Sequence, residues 1–446
     1  MSQTNAQGLR PAGHEQDNRA AWQRYWQAQG QPWRIEPEID AARQYFLIEH
    51  RAITPDLDKG IYPFKDVELS RADVEWLLAT HENGHGPLYW HDDVEHGHKG
   101  LDLRGADLRG ADLRNLPLAH MLGGLNWSER ARTPERRNRA AIHMEGAILS
   151  GVHLEYAELY MAHFEKADLY MAHLEGSSLR KAHFEEAYLR NAFLGDISDA
   201  RSKQDQGGKL YAGAALVLPA ADIRAAFFDN KTDLENISLG NELHGVVRVA
   251  DTHWEGTNLS VVEWSQIKSL GDEARARRAL NDAGNKKSID MSIDYYREAV
   301  RANRQLAVAL QGQGLNEEAA RFAYRAQRLQ REVLFLQKKP AAFIFSLFLD
   351  LLAGYGYKPM RSLIAYLLVI VGFACTYFIL GHIVGPTLSP LGSLVFSLTS
   401  FHGRGFFPGG IQLDDPLTVV SALEAVVGLT IEISFIATFT QRFFGK

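Results

Sequence analysis

The sequence predicts a mixed fold in which a β-solenoid, a helical connector and two membrane-spanning helices follow one another. Three features of the 446-residue chain carry that expectation: a five-residue repeat, alanine-rich amphipathic periods behind it, and two long apolar runs near the C-terminus. The expected layout is a polar lead and small helical region at 1–99 and a solenoid at 100–265 with a loop insert at 126–140. A helical connector at 266–340, an interfacial helix at 341–358 and a two-span domain at 359–446 complete it. Charged residues make up 23% of the chain and the net charge is −6, so no basic surface advertises nucleic acid. The single cysteine, Cys375, falls inside the first apolar run, which excludes an intrachain disulfide and a cysteine-rich zinc site.

Residues 1–20 are polar, lack an apolar core and read as a disordered lead without a signal peptide. Helices are expected in AAWQRYWQAQG and SRADVEWLLAT. Next, His81-Glu82-Asn83-Gly84-His85 matches H-E-x-x-H, the pattern in which two histidines on one helical face bind zinc beside a glutamate base. Gly84, Gly86 and Pro87 are residues that end a helix, so no metal is assigned there, even with His91, His96 and His98 nearby.

From Leu103 apolar residues recur every fifth position: Leu103, Leu108, Leu113 and Leu118, then Met144 and onward through Leu194. Most are preceded two places earlier by alanine. Neither the helical period of 3.6 nor the strand period of 2 fits, and a fixed short repeat implies stacked coils burying one ladder of side chains. The A-[DN]-L-x-x pattern resembles pentapeptide-repeat proteins. That resemblance implies a right-handed, four-sided β-helix with four pentapeptides per coil, its centres and alanines inward and the other positions toward solvent. Weaker repeats continue to Trp264, and stretches near 196–217 and 241–251 read as loops or irregular coils. The insert 126–140 holds five arginines without periodicity and reads as a solvated loop.

A ten-residue period overlies the first: His143, His153, His163, His173 and His183, each two places before a glutamate. On a twenty-residue coil these form two columns, His143/His163/His183 and His153/His173. Metal binding and pH sensing are open to such columns, but duplication of a ten-residue unit on a solvated surface is the preferred account.

Residues 270–337 contain three amphipathic alanine-rich periods separated by glycine-containing turns, a helical hairpin or bundle. AAFIFSLFLDLLAGYGYKP, 341–359, reads as an apolar helix lying along the membrane interface, able to pass movement to the first span. Residues 362–381 are uncharged, and 417–440 form a second run of spanning length interrupted by Glu424 and Glu432. Between them a short apolar helix at 391–399 leads into the glycine-rich FHGRGFFPGG, irregular backbone tolerated at membrane depth only inside protein or around a cavity.

Span, short helix, glycine turn and span make a pore-loop layout, and FSLTSFHGRGFFPGG resembles the filter region of two-span potassium-type channels. The resemblance implies a homo-oligomer, a tetramer around one pore, with Thr399 and Ser400 as the filter hydroxyl residues and Gly403 and Gly405 as the Gly-x-Gly. Phe401 and His402 stand where one small aliphatic residue is usual, and Arg404 replaces the aromatic between the glycines. Rings of Arg404 and His402 would set charge selection. Glu424, Gly428 and Glu432 share one helical face at i, i+4 and i+8 and are expected to line or hinge the inner helix. Small-residue packing between helices is the competing account of that stripe.

The expected protein is therefore a non-enzymatic channel subunit of a bacterial-type inner membrane, with two spans. Lys338, Lys339, Lys358, Arg361, Arg442 and Lys446 outside the spans put both termini and the solenoid on the cytoplasmic side. Its expected partners are its own copies, membrane lipid, permeant ions and an unidentified protein or ligand on the solenoid, with no cofactor and no nucleic acid. The rival is a membrane-anchored interaction protein without conductance. Some pentapeptide-repeat proteins mimic DNA and bind topoisomerases, but that use needs an acidic solenoid, and here basic residues mix with the glutamates.

Overall fold

The computed structural model describes residues 11, 18–84, 86–89, 100–132, 140–195, 220–241, 245–282, 286–383, 387–403 and 415–443. It divides into two compact units, Met1–Ala319 and Ala320–Lys446.

The first unit begins with α1 (Arg19–Ala28), α2 (Ala41–Arg51) and α3 (Arg71–Ala79), started by Asn18, Asp40 and Ser70. Each cap side chain accepts a hydrogen bond from an otherwise unpaired first-turn N–H, and Ser70 with Asp73 completes a reciprocal capping box. After α3 the chain tightens into one 3₁₀ turn, His81–Gly84, with Gly84 at φ 90°. That turn cannot present residues four apart on one helical face. His85, His91, His96 and His98 lie outside the described residues.

The solenoid is held by parallel bridges in four ladders. The first runs Asp107–His143–His163–His183–Phe227–His253 and the second Asp112–Ile148–Asp168–Tyr188–Asp233. The third runs Pro117–His153–His173–Phe193–Ser238 and the fourth Leu122–Glu158–Ser178–Asp222–Arg248. Pairing of His143 with His163 and of His163 with His183 fixes twenty residues per uninterrupted coil and one pentapeptide per side. Centres such as Leu149, Leu154, Phe164 and Leu169 are fully buried, as are Ala147, Ala157 and Ala162. Phe164, Phe184, Phe228 and Trp254 stack down the interior with ring centroids 5.0 to 5.1 Å apart. The second residue after each centre turns the corner in the left-handed region. Glycine does this without strain at Gly105 and Gly110, but Tyr156, Met161 and Lys166 bear the cost of a side chain there.

Several details depart from the sequence expectation. Within the 126–140 insert, Trp127–Arg132 forms a helix, α4, and Arg130 is buried with its guanidinium 4.7 Å from the Tyr160 ring. Of the two readings for 241–251, the described residues 245–251 form an irregular coil, because Arg248 bridges to Asp222 and His253 to Phe227. Not all non-core positions face solvent: Glu155 and Glu175 are 0% and 1% exposed. Five short strands complete the coils: β1 (Phe193–Gly195), β2 (Phe227–Phe228), β3 (Ser238–Asn241), β4 (Gly245–Val246) and β5 (His253–Trp254). Pairing is parallel for β1–β3 and β2–β5, and antiparallel for β3–β4. The stretch 196–219 lies outside the described residues.

Helices α5 (Gly271–Asn281) and α6 (Lys286–Gly312) close the far end. Glu298 pairs with Arg224, the Gln305 side chain accepts the Asp251 N–H at 2.9 Å, and Gln313 accepts the Leu259 N–H at 2.8 Å. A solenoid's last coil exposes unpaired backbone and apolar core, and such capping covers both.

The compact-unit division falls within α7 (Asn316–Leu336). The second unit holds α8 (Pro340–Ala353), α9 (Pro359–Ile383), α10 (Pro390–Phe401) and α11 (Pro416–Phe443). Pro340 and Pro390 start their helices at positions where the missing N–H costs nothing. Gly354–Gly356 is a 3₁₀ turn in which Gly354 and Tyr355 are left-handed, so this Gly-Tyr-Gly is a joint between helices. Met360–Ile383 and Pro416–Ile436 are long and apolar enough to cross a membrane, with 17% and 22% of their residues buried within the chain.

Candidate functional site

Helix α10 is short and lies against both long apolar helices. Phe401, 1% exposed, packs in one cluster with Leu352, Ile370 and Ile431, while Phe396 joins Tyr377 and Leu417 in a second. Between the two clusters sits a polar group. Glu424 of α11 is 0% exposed; the Tyr377 hydroxyl donates to it at 2.6 Å, and the Ser397 hydroxyl lies 2.5 Å from its other oxygen. Ser397 also lies 2.9 Å from the Ile370 carbonyl, so all three helices meet on one carboxyl group. One turn further along α11, Gly428 lets the backbones close: a Cβ there would overlap the Phe401 carbonyl and stand 3.0 Å from the Phe401 ring. One turn beyond, Glu432 lies 3.4 Å from His402 Nε2, whose Nδ1 is 2.8 Å from the Leu398 carbonyl.

In the single chain, therefore, the stripe Glu424–Gly428–Glu432 is the face by which α11 holds α10. The other expected site residues distribute by role. Thr399 is half-buried and its hydroxyl returns to the Val395 and Phe396 carbonyls at 3.0 and 2.9 Å. Ser400 and Phe401 are buried, whereas His402 and Gly403 are exposed, Gly403 at φ 66°. Arg404 and Gly405 lie outside the described residues.

Sequence reasoning missed Tyr377 and Ser397, whose hydroxyls partner Glu424. Their signal was present: a buried carboxyl in an apolar helix requires donors, and a tyrosine within the first span and a serine in the short helix are the polar side chains that reach it. It also missed a second hub. Asp350 of α8 accepts from Tyr324 at 2.8 Å, Arg331 at 2.7 Å and Arg361 at 2.9 Å. Burial pushes the Asp350 carboxyl up, but the hydrogen bonds from Arg331 and Tyr324 outweigh it and hold the group below its ordinary value. Away from that hub α8 is apolar and exposed at Ile344, Phe345, Leu347, Phe348 and Leu351.

In the solenoid the two histidine columns form as spaced. His143, His163 and His183 stack with centroids 4.8 and 5.1 Å apart, and His153 and His173 at 4.7 Å. His143, His163 and His183 each place Nδ1 within 3.1 Å of the glutamate two residues on. The hydrogen bond it donates to Glu165 raises His163 above its usual value. Burial pushes Glu155 up, but the bond from His153 and the charges of His153 and His173 leave it lowered. Asp–Arg pairs two residues apart, such as Asp107 with Arg109 and Asp112 with Arg114, cancel charge along the coils.

Fold and site thus define a stacked five-residue-repeat solenoid in one unit, and two helices of spanning length around a short third helix in the other. Comparison with known proteins supports the first part: residues 167–196 match the family described as Pentapeptide repeats (8 copies). Solved structures similar to the chain include a pentapeptide repeat protein from the Arabidopsis thaliana thylakoid lumen, at 17% identity and TM-score 0.14, over 35% of this chain and 72% of that one. Rfr23 from the cyanobacterium Cyanothece 51142 shares 17% identity at TM-score 0.13, over 34% and 91%. HetL from Nostoc sp. strain PCC 7120 shares 23% at TM-score 0.16, over 34% and 66%. No curated protein sequence matches the chain.

Proposed function

We propose that the chain is one subunit of a homotetrameric membrane channel, with the solenoid as a cytoplasmic scaffold that biases the gate. The observation that carries this reading is the clamp on α10. A helix too short to span is fixed between two largely exposed apolar helices by a buried carboxyl and by backbone contact at Gly428. A mere lipid anchor gains nothing from holding a half-length helix there, because burying a carboxyl is costly. Ser400 and Phe401 pack inward while His402 and Gly403 are exposed, with Thr399 half-buried before them; in this reading Arg404 and Gly405, next in sequence, continue the constriction. Rings of Arg404 and His402 would set the charge selection of that pore. The basic residues flanking the spans favour a cytoplasmic solenoid. Charge cancellation along its coils suits protein docking better than nucleic-acid binding or mimicry.

The test is single-channel recording from the purified chain in planar bilayers under asymmetric KCl, with Arg404→Ala beside wild type. Discrete openings whose reversal potential moves in the variant support the reading. Silence of both proteins across pH, voltage and divalent ions overturns it in favour of a membrane-anchored interaction protein.

A further inference from the structure

The third ladder of the solenoid encloses four titratable side chains. Its rungs run Pro117, His153, His173 and Phe193. Two positions further along each of these coils stand Ala119, Glu155, Glu175 and Gly195. Two imidazoles and two carboxylates are thus bounded at both ends by residues that cannot ligate. Three of the four are buried, Glu155 at 0%, Glu175 at 1% and His173 at 9% exposed, while the His153 side chain at the edge is 42% exposed. His153 Nδ1 lies 3.1 Å from Glu155, but His173 Nδ1 is 3.6 Å from Glu175, and this buried nitrogen has no hydrogen-bond partner among the described residues. In the first ladder the His143, His163 and His183 side chains are 40%, 28% and 25% exposed, against 11% for His173, and each is paired with its glutamate.

Two adjacent buried carboxylates need two positive charges nearby. The imidazoles supply them only when both are protonated. A divalent cation supplies them with both imidazoles neutral and gives the buried Nδ1 a partner. Ligand atoms of His153, Glu155 and His173 already lie within 4.8 Å of one another. Tetrahedral donors at about 2.1 Å from one ion stand about 3.4 Å apart, so closure needs the widest pair to approach by roughly 1.4 Å, a tilt of the two rings from their stack. Mixed imidazole and carboxylate donors suit zinc, cobalt or nickel rather than calcium or magnesium.

We propose that His153, Glu155, His173 and Glu175 bind one divalent transition-metal ion within the solenoid wall. The inference stands on unit one alone and is independent of whether the chain conducts.

Cobalt(II) is the probe, titrated into the detergent-purified full chain after metal removal and read by its visible absorption, with zinc as displacing ion. His173→Phe is the first variant, because Phe193 already occupies the next rung of that ladder and stacks on residue 173 at 4.8 Å. Glu175→Gln is the second, and His183→Phe, which repeats Phe227 of the first ladder, is the control. The expected result is one tight equivalent per wild-type chain, weakened at least about tenfold in both third-ladder variants and unchanged in the control. Metal should also raise the melting temperature of wild type and control but not of His173→Phe. The proposal is overturned if no tight equivalent is found, if both third-ladder variants bind as wild type does, or if the tight equivalent disappears in the control instead.

Discussion

Tyr377 and Glu424 allow a quantitative test of the clamp on α10. Tyr377→Phe removes the hydroxyl that donates at 2.6 Å and leaves a carboxyl oxygen of a 0% exposed side chain without that donor. Glu424→Leu does the reverse: Tyr377 loses its acceptor, whereas Ser397 keeps the Ile370 carbonyl at 2.9 Å. Stranding a buried polar group costs about 1–3 kcal/mol, so each single variant should be destabilised by about that amount. The double variant strands neither group and should recover part of the loss. Inside a bilayer the net coupling is smaller, with cycle values averaging about 0.6 and reaching about 1.7 kcal/mol, because the unfolded segment also finds partners. A stabilising coupling of about 1 kcal/mol is therefore expected. It is measured as a double-mutant cycle by SDS titration of the protein in bicelles, with unfolding followed by tryptophan fluorescence. Additivity within about 0.3 kcal/mol would refute the argument, since independent sites behave that way.

Three further outcomes follow from the packing. Gly428→Ala should destabilise the second unit by about 1–3 kcal/mol because its Cβ meets the Phe401 backbone, while Gly372→Ala, whose Cβ meets nothing within 4 Å, should not; the same titration compares them. Phe184→Ala empties a fully buried position stacked between Phe164 and Phe228 and should cost about 3–5 kcal/mol, read as faster hydrogen exchange confined to the neighbouring coils. Burial raises the Asp272 carboxyl, which accepts the Val249 N–H at 2.8 Å, to about 7. Between about pH 4 and 7 the folded state then keeps a proton that the unfolded state releases, so stability falls as pH rises, by on the order of 4 kcal/mol in all. Asp272→Asn should flatten that dependence, as read by exchange of the 245–251 amides at several pH values; parallel profiles for variant and wild type would contradict it.

Much of the layout was legible because its causes are local. A five-residue spacing of Leu and Phe marks stacked coils, and the resemblance to pentapeptide-repeat proteins, with four repeats per coil, implies His143 over His163 and His153 over His173. Caps, glycine turns and amphipathic periods announced α1, α3 and the helices from α5 to α7, each within a few residues. The helix at Trp127–Arg132 was not legible, because what holds Arg130 is Tyr160 on another coil, distant in sequence. The partner of Arg248 in the irregular coil near 245–251 was hidden for the same reason: Asp222 belongs to an earlier turn.

By itself the sequence determined the repeat, its period, the ten-residue histidine spacing and the presence of two apolar segments of spanning length, since each depends on spacing and composition along one stretch of chain. Only the tertiary structure decided which side chains of those segments face one another. Glu424 and Glu432 look alike in the sequence, yet one is sealed between Tyr377 and Ser397 and the other lies half-buried beside His402. His163 and His173 occupy the same place in the repeat, yet one is paired and the other is buried with an unmet nitrogen. The difference arises because burial and partners are set by what neighbouring helices and coils bring to each position, and periodicity carries no record of that.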